Sequence, residues 1–315
     1  MRVLVTGGAG FIGSNIVKNL NNDNSIRSIV VLDNLSNGDI NNIIKSDKIS
    51  FIKGDICDFE LVNNICKEID VICHQAAWGS VPRSIEQPKD YMSNNVYGFS
   101  CIVEAAKNNE IKKIIYASSS SVYGDNNSFE KEENQIGKQL SPYALSKRFD
   151  EMLSDNFHDL YGIDFYGLRY FNVFGENQRW DSEYSAVIPK FIKSVIENEQ
   201  PIIFGDGDQS RDFTYVKNVV DMNVNLIKNI NIKGSHVFNV GLGKSTSVNE
   251  LYRLIKEKLN SDIVPIYKEK RKGEILNSLA NINSSKKVGY NPKIEIEEGL
   301  EKTIQWFKQS FNKSI

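Results

Sequence analysis

Tyr143-Ala144-Leu145-Ser146-Lys147 sets a phenol and an ammonium four residues apart, one turn along the same face of a helix. Such a pair suits proton transfer. A phenol is a poor base at its free pKa of about 10, and a neighbouring ammonium favours the phenolate and moves the value toward neutrality. The spacing alone says little, because the chain has 13 tyrosines and many lysines, and Tyr252 and Lys256 repeat it. What sets the first pair apart is the upstream run Ile114-Ile115-Tyr116-Ala117, which reads as a strand and ends in Ser118-Ser119-Ser120-Ser121. A serine hydroxyl at that strand end can orient a substrate hydroxyl. The second pair has no comparable strand before it and reads as an ordinary helix face.

A second set of residues could hold phosphate. Gly7-Gly8-Ala9-Gly10-Phe11-Ile12-Gly13 follows a short β-branched run and opens a helix pattern. Glycines there permit a tight turn and let backbone N–H groups approach a pyrophosphate at a helix N-terminus. Val31-Leu32-Asp33 ends the next strand pattern about 20 residues after Gly13, where a carboxylate can accept both ribose hydroxyls of an adenosine. An anionic Asp33 would repel a 2′-phosphate, so NAD is expected over NADP. Gly54-Asp55-Ile56 ends a third run, and Asp55 could take the adenine amino group.

These residues need a scaffold, and the first half of the chain supplies one. Apolar runs at 2–6, 28–33, 49–53, 71–74, 111–118 and 164–170 alternate with helix patterns at 11–20, 59–67, 94–108 and 141–161. Alternation of this kind predicts a parallel sheet with helices on both faces. The runs lack period-2 alternation, as strands buried on both faces should. The fold class expected is α/β, a Rossmann-like doubly wound sheet with a smaller discontinuous C-terminal lobe. After residue 174 the texture changes: a loop at 175–182, a helix at 186–197, a turn-rich stretch at 205–208, a short run at 212–216, then a helix to about 229. Residues 236–240 read as another strand of the large sheet, and helices at 248–259 and 296–311 flank a strand at 263–267. Residues 1–174 and about 212–240 are expected to form the NAD-binding domain, with about 175–211 and 241–315 forming the substrate lobe.

At 315 residues the chain exceeds the usual span of one hydrophobic core, which agrees with a large domain plus a lobe. Its 40% hydrophobic and 25% charged residues are ordinary for a soluble protein. A net charge of −2 gives no field to gather nucleic acid or anionic membrane, so neither partner is expected. No signal peptide or membrane span is visible. Cys57, Cys66, Cys73 and Cys101 are scattered without a CxxC pair. They read as free thiols in a reducing cytoplasm, with no metal expected.

Taken together, these motifs resemble the extended short-chain dehydrogenase/reductase family, and within it the UDP-N-acetylglucosamine 4-epimerases. The resemblance runs from Arg2 to about Asn291. Besides the glycine loop, it is carried by His74-Gln75-Ala76-Ala77, Gly79-Ser80-Val81-Pro82-Arg83-Ser84, Asn94-Asn95-Val96-Tyr97-Gly98, 118–124, Ser141-Pro142-Tyr143-Ala144, 169–175 and Ala186-Val187-Ile188-Pro189-Lys190. It implies Tyr143 as base, Lys147 at the nicotinamide ribose, and Ser119, four residues before Tyr123, at the sugar 4-hydroxyl, with Ser120 in reserve. It also implies that Gly7, Gly10, Phe11, Ile12, Gly13, Asn34, Ser36, Ile56, Gln75, Ala76, Ala77, Asn94 and Tyr170 line the cofactor.

For the nucleotide sugar, the resemblance implies Ser80, Ser84, Asn172, Ala186, Val187 and Lys190 as walls, and Arg211 and Arg271 as the two arginines on UDP. Guanidinium suits phosphate because its fork donates two parallel hydrogen bonds. Glu274 stands where the family has Asp at the uridine ribose, and Asn281 replaces an Asp of a later motif. Ser278 matches a gate position that is bulky in epimerases confined to UDP-glucose and UDP-galactose, and a serine leaves room for a 2-acetamido group. The implied activity is NAD-dependent 4-epimerisation through a 4-keto intermediate in a homodimer, formed through the helices at 94–108 and 141–161. Three alternatives stay open: a UDP-uronic acid 4-epimerase, with Arg83 and Lys190 meeting a carboxylate; a nucleotide-sugar 4,6-dehydratase, which Ser120-Ser121 in place of an acid-base pair disfavours; and an NAD-holding sensor without turnover.

Overall fold

The computed structural model describes residues 1–181, 184–229, 232–270 and 277–311. Seven parallel strands make the central sheet: β1 (Arg2–Thr6), β2 (Ser28–Asp33), β3 (Ile49–Lys53), β4 (Val71–His74), β5 (Lys113–Ser119), β6 (Asp164–Tyr170) and β7 (Ser235–Val240). Their order is β7-β6-β5-β4-β1-β2-β3. The winding reverses between β1 and β4, and in open α/β sheets ligands bind beyond the strand ends at such a reversal.

Burial follows from this order. Along β1, Val3 and Val5 enter one apolar core and Leu4 the other, so successive side chains feed opposite faces and all are covered. β4 and β6 are buried throughout. β3 departs from the expectation of strands buried on both faces: it lies at the sheet edge and exposes Ser50 and Lys53.

Helices α1 (Phe11–Asn21), α2 (Phe59–Cys66), α3 (Gly98–Asn108) and α4 (Pro142–Tyr161) cover the sheet. α4 begins on Ser141, whose Oγ accepts from Ala144 N at 3.1 Å, carries Pro142 in its first turn, and stops at left-handed Gly162 (φ 65°). Ahead of α3 the helix pattern is not uniform: Pro88–Tyr91 is α-helical and Met92–Tyr97 is a π-helix.

The remainder holds α5 (Val187–Ile196), α6 (Val216–Lys228), α7 (Val248–Leu259) and α8 (Ile296–Phe311). A small sheet joins distant segments in the order Thr246–Ser247, Ser210–Arg211, Asn277–Ala280, Glu130–Lys131, with Arg211 paired to Ser278. Buried Asp212 ties these segments together, accepting from Leu242 N (2.7 Å), Gly243 N (2.8 Å) and Ala280 N (3.3 Å). Among the described residues no helix is long and apolar enough to cross a membrane.

Candidate active site

A cavity of about 740 Å³ opens where β1, β2, β4, β5 and β6 end. Its floor is the glycine loop. Gly7 has φ +66°, and a Cβ there would lie 2.6 Å from Ala76 N; a Cβ on Gly13 would lie 2.2 Å from Gly7 O. Only glycine fits these two positions. Gly10 is the N-cap of α1 and no side chain caps the helix, so its first amides are left for an anion. Gly7, Gly10, Phe11, Ile12 and Gly13 all line the cavity.

Asp33 closes β2 beside this loop and is buried, with Oδ2 accepting from Ala9 N (3.0 Å) and Oδ1 from Leu35 N (2.8 Å). It lines the cavity with Asn34, Ser36 and Ile56. Asp55 is not on the wall. Its Oδ2 accepts from Asn34 Nδ2 at 2.9 Å and its Oδ1 from Cys57 N at 2.9 Å, so it acts on the wall through Asn34. Burial pushes its carboxyl up, but these hydrogen bonds outweigh it and hold the group below the usual carboxylate range.

Gln75, Ala76, Ala77, Asn94 and Tyr170 form the far side of the cavity. Tyr170 donates to Gln75 Oε1 at 3.0 Å, and Asn223 receives Gln75 Nε2 at 3.2 Å, which locks both side chains. The π-helix sets Asn94 on the wall and the next residue, Asn95, in the interior, where its amide meets Trp78 N, Trp78 O and Ser146 Oγ. An uncapped helix end, a glycine cradle and a carboxylate at the next strand end together fit a pyrophosphate with an adenosine ribose.

The structure brings Tyr143, Lys147, Ser119 and Ser120 to this same cavity. Ser119 ends β5 and its Oγ accepts from Ser121 N at 3.1 Å, starting the short turn Ser120–Tyr123. Next to it, Ser118 donates to Glu151 Oε1 at 2.7 Å, and Arg169 grips both oxygens of Glu151 at 2.8 and 2.9 Å, so the strand end is pinned to α4. Lys147 is buried and pairs with Asp150 Oδ2 at 3.1 Å. His74, under the same wall, bonds Thr6 Oγ1 through Nδ1 at 2.8 Å; burial, aided by the Lys147 charge, pushes its imidazolium down to about 3, so it is neutral.

A second cavity of about 780 Å³ adjoins the first and shares Asn172, Val173 and Arg211 with it. Ala186, Val187 and Lys190 line it, from the start of α5. Ser278 lines the first cavity beside Arg211, its strand partner. Asn172 stands between the two with φ +31°, a backbone rarely taken by a non-glycine residue. Ser80, between the lining residues Gly79 and Val81, caps Val81–Glu86 by accepting from Arg83 N, and Ser84 is fully buried, donating to Val81 O at 2.7 Å. Arg271 and Glu274 lie outside the described residues. Asn281 is a link within the small sheet, its N donating to Lys131 O and its O accepting from Asn239.

Sequence reasoning missed Trp78 and Arg179. Trp78 lines the first cavity with Arg83 stacked on its ring at 4.1 Å. Arg179 also lines it, held by Asp181 at 2.8 and 2.9 Å. Neither follows a periodic pattern, so no sequence signal marked them.

Comparison with known proteins places this geometry. Residues 3–241 match the model of the NAD dependent epimerase/dehydratase family. A provisionally named UDP-glucose 4-epimerase of Methanocaldococcus jannaschii is 40% identical over 310 residues, covering 98% of this chain and 99% of that one. The structure of a UDP-N-acetylglucosamine 4-epimerase from Methanobrevibacter ruminantium M1, in complex with UDP-N-acetylmuramic acid, is 42% identical with a TM-score of 0.93 over 98% of both chains. A UDP-glucose 4-epimerase of Thermotoga maritima with UDP-glucose is 34% identical with a TM-score of 0.93, over 99% of this chain and all of that one.

Proposed function

This chain belongs to the NAD dependent epimerase/dehydratase family, and from that premise we propose that it interconverts UDP-N-acetylglucosamine and UDP-N-acetylgalactosamine by inverting carbon 4. The observation that carries this reading is the meeting of Tyr143, Lys147 and Ser119 on one cavity wall, facing a glycine cradle fit for NAD. NAD is the family's cofactor, and when bound it supplies an acceptor for the hydrogen on carbon 4 and a donor for its return. The chain's own residues handle the proton. Ser119 orients the 4-hydroxyl, Tyr143 takes its proton as phenolate, and the same phenol gives a proton back to the 4-keto oxygen once the sugar has turned over. Lys147 supplies the positive charge that favours the phenolate.

Arg211, shared by both cavities, is the diphosphate contact, and the second cavity takes the nucleotide. Ser278 leaves space beside it for a 2-acetamido group. The two-lobe division of the sequence reading, with the sheet holding NAD and the discontinuous remainder holding the sugar nucleotide, is part of this proposal, as is a cytoplasmic setting for the free thiols. So is a homodimer through α3 and α4, supported by the exposed apolar residues Tyr97, Leu145 and Met152, and testable by light scattering.

Incubation with UDP-N-acetylglucosamine in deuterated water tests the mechanism. The expected product carries no solvent deuterium at carbon 4, and Tyr143→Phe lowers kcat by about 10²-fold or more while the protein keeps its NAD. Deuterium at carbon 4, or full activity in the variant, overturns it. A second reading, a UDP-sugar bearing a carboxylate, is favoured by the guanidinium of Arg179 on the first cavity. Product analysis with UDP-uronic acids beside the N-acetylated and plain sugars separates the two.

A further inference from the structure

Asp150 lies one turn beyond Lys147 on α4, and nothing in the reaction above uses it. The two form an ion pair at 3.1 Å with side chains 2% and 0% exposed. Tyr143, Lys147 and Asp150 follow at i, i+4 and i+7, a single face of one helix. Glu151, the next residue, is neutralised separately by Arg169 and Arg148. Among the described residues Asp150 Oδ1 has no hydrogen-bond partner, so Lys147 is the group that answers this buried charge, and an unpaired buried charge is costly.

We propose that Asp150 is a positioning residue of the catalytic centre: as buried counter-ion it fixes the Lys147 ammonium and sets how strongly that ammonium favours the Tyr143 phenolate. This rests on the role given to Tyr143 in the proposed function. An ammonium without a counter-ion would act on the phenol with its whole field, and a carboxylate behind it subtracts from that field. Seven helical residues span about 10.5 Å, and a unit charge at that distance, at an effective dielectric near 20, moves a titration by about one pH unit.

Other groups around Asp150 leave this balance intact. Glu151 from its own helix repels it, and Tyr116 from β5 faces the pair with its phenol held protonated by burial. From β4, neutral His74 faces Lys147. The helical stretch ahead of α3 brings Tyr91 edge-on to Tyr143 and Asn95 onto Ser146, and Arg169 from β6 is spent on Glu151. Burial, opposed by the Lys147 charge, pushes the Asp150 carboxyl up from its ordinary value.

Asp150→Asn removes the charge and keeps the shape. In the NAD-loaded protein, the ultraviolet phenolate signal that disappears in Tyr143→Phe is expected to titrate about one pH unit lower than in wild type. The acid limb of the kcat profile should move with it, and Asp150→Glu should bring both back. Should the amide prevent folding, Asp150→Val offers an uncharged side chain that needs no hydrogen bond, with the same expectation. Folded, NAD-bearing variants whose phenolate signal titrates as in wild type overturn the role of Asp150. A wild type without turnover on any UDP-sugar overturns the proposed function instead, and leaves the phenolate titration readable.

Discussion

Among the residues, His74 shows how the buried layer under the site bears on stability. Its ring is buried between Thr6 and Phe99, and the charge that bears on it is the like charge of Lys147. Held at about 3 in the fold against 6.5 when free, it binds a proton more tightly unfolded than folded. Its contribution is therefore intact above pH 6.5 and drains away as the pH falls toward 3. Urea unfolding at pH 7.5 and 5.5 is expected to show a loss of roughly 1.4 kcal/mol from this one group, and His74→Gln should flatten that dependence. At this scale much of the cavity wall was legible: the glycines and Asp33 by spacing and residue type, Tyr143 and Lys147 by the strand and serines that precede them. Asp150 did not, because its meaning lies in a buried contact with Lys147 that a charged residue on a helix does not announce.

The elements carry the next level, and α4 is the central one. Its inner face bears Lys147, Asp150 and Glu151, while Leu145 and Met152 stand exposed on the outer side at 53% and 57%. Apolar side chains spaced along an exposed helix face call for a partner. Light scattering of the wild type is expected to give about twice the 35.7 kDa chain mass, and Leu145→Glu with Met152→Glu should return the single-chain value. The helix was expected from the sequence pattern at 141–161, and the structure adds its Ser141 cap. The π-helix at Met92–Tyr97 was not, since one extra residue in a turn leaves no compositional trace, yet it carries Asn94 on the cavity wall and Asn95 beneath it, joined by a 2.9 Å hydrogen bond from Asn94 Nδ2 to Asn95 Oδ1. Short strands such as Glu130–Lys131 were equally hidden, because their pairing with Leu279 and Ala280 is a long-range contact and not a local pattern.

For the molecule as a whole, Asp212 is the point where the pieces meet. Segments near 212, 242 and 280 all converge on its carboxylate. Burial pushes that carboxyl up to about 6, against the backbone donors that favour its charge. Asp212→Ala would leave two buried N–H groups and the half-buried Gly243 N–H unanswered and is expected to cost about 3 kcal/mol, read as a lower melting temperature. UDP-sugar affinity should fall more than NAD affinity, because Arg211 and Ser278 flank the lost contact and the glycine loop does not. The parallel large sheet with helices on both faces followed from strand–helix alternation, but this junction could not, being made by residues far apart in the chain.

The pairing of Arg211 with Ser278 in neighbouring strands has a consequence for how such an enzyme can change its diet. In the proposed function, purchase on the phosphates and headroom for the sugar share one rung of a ladder. A replacement that resizes the headroom at Ser278 then bears on Arg211 across the same rung. Variants selected for a different hexose should therefore also hold bare UDP more or less tightly than their parent.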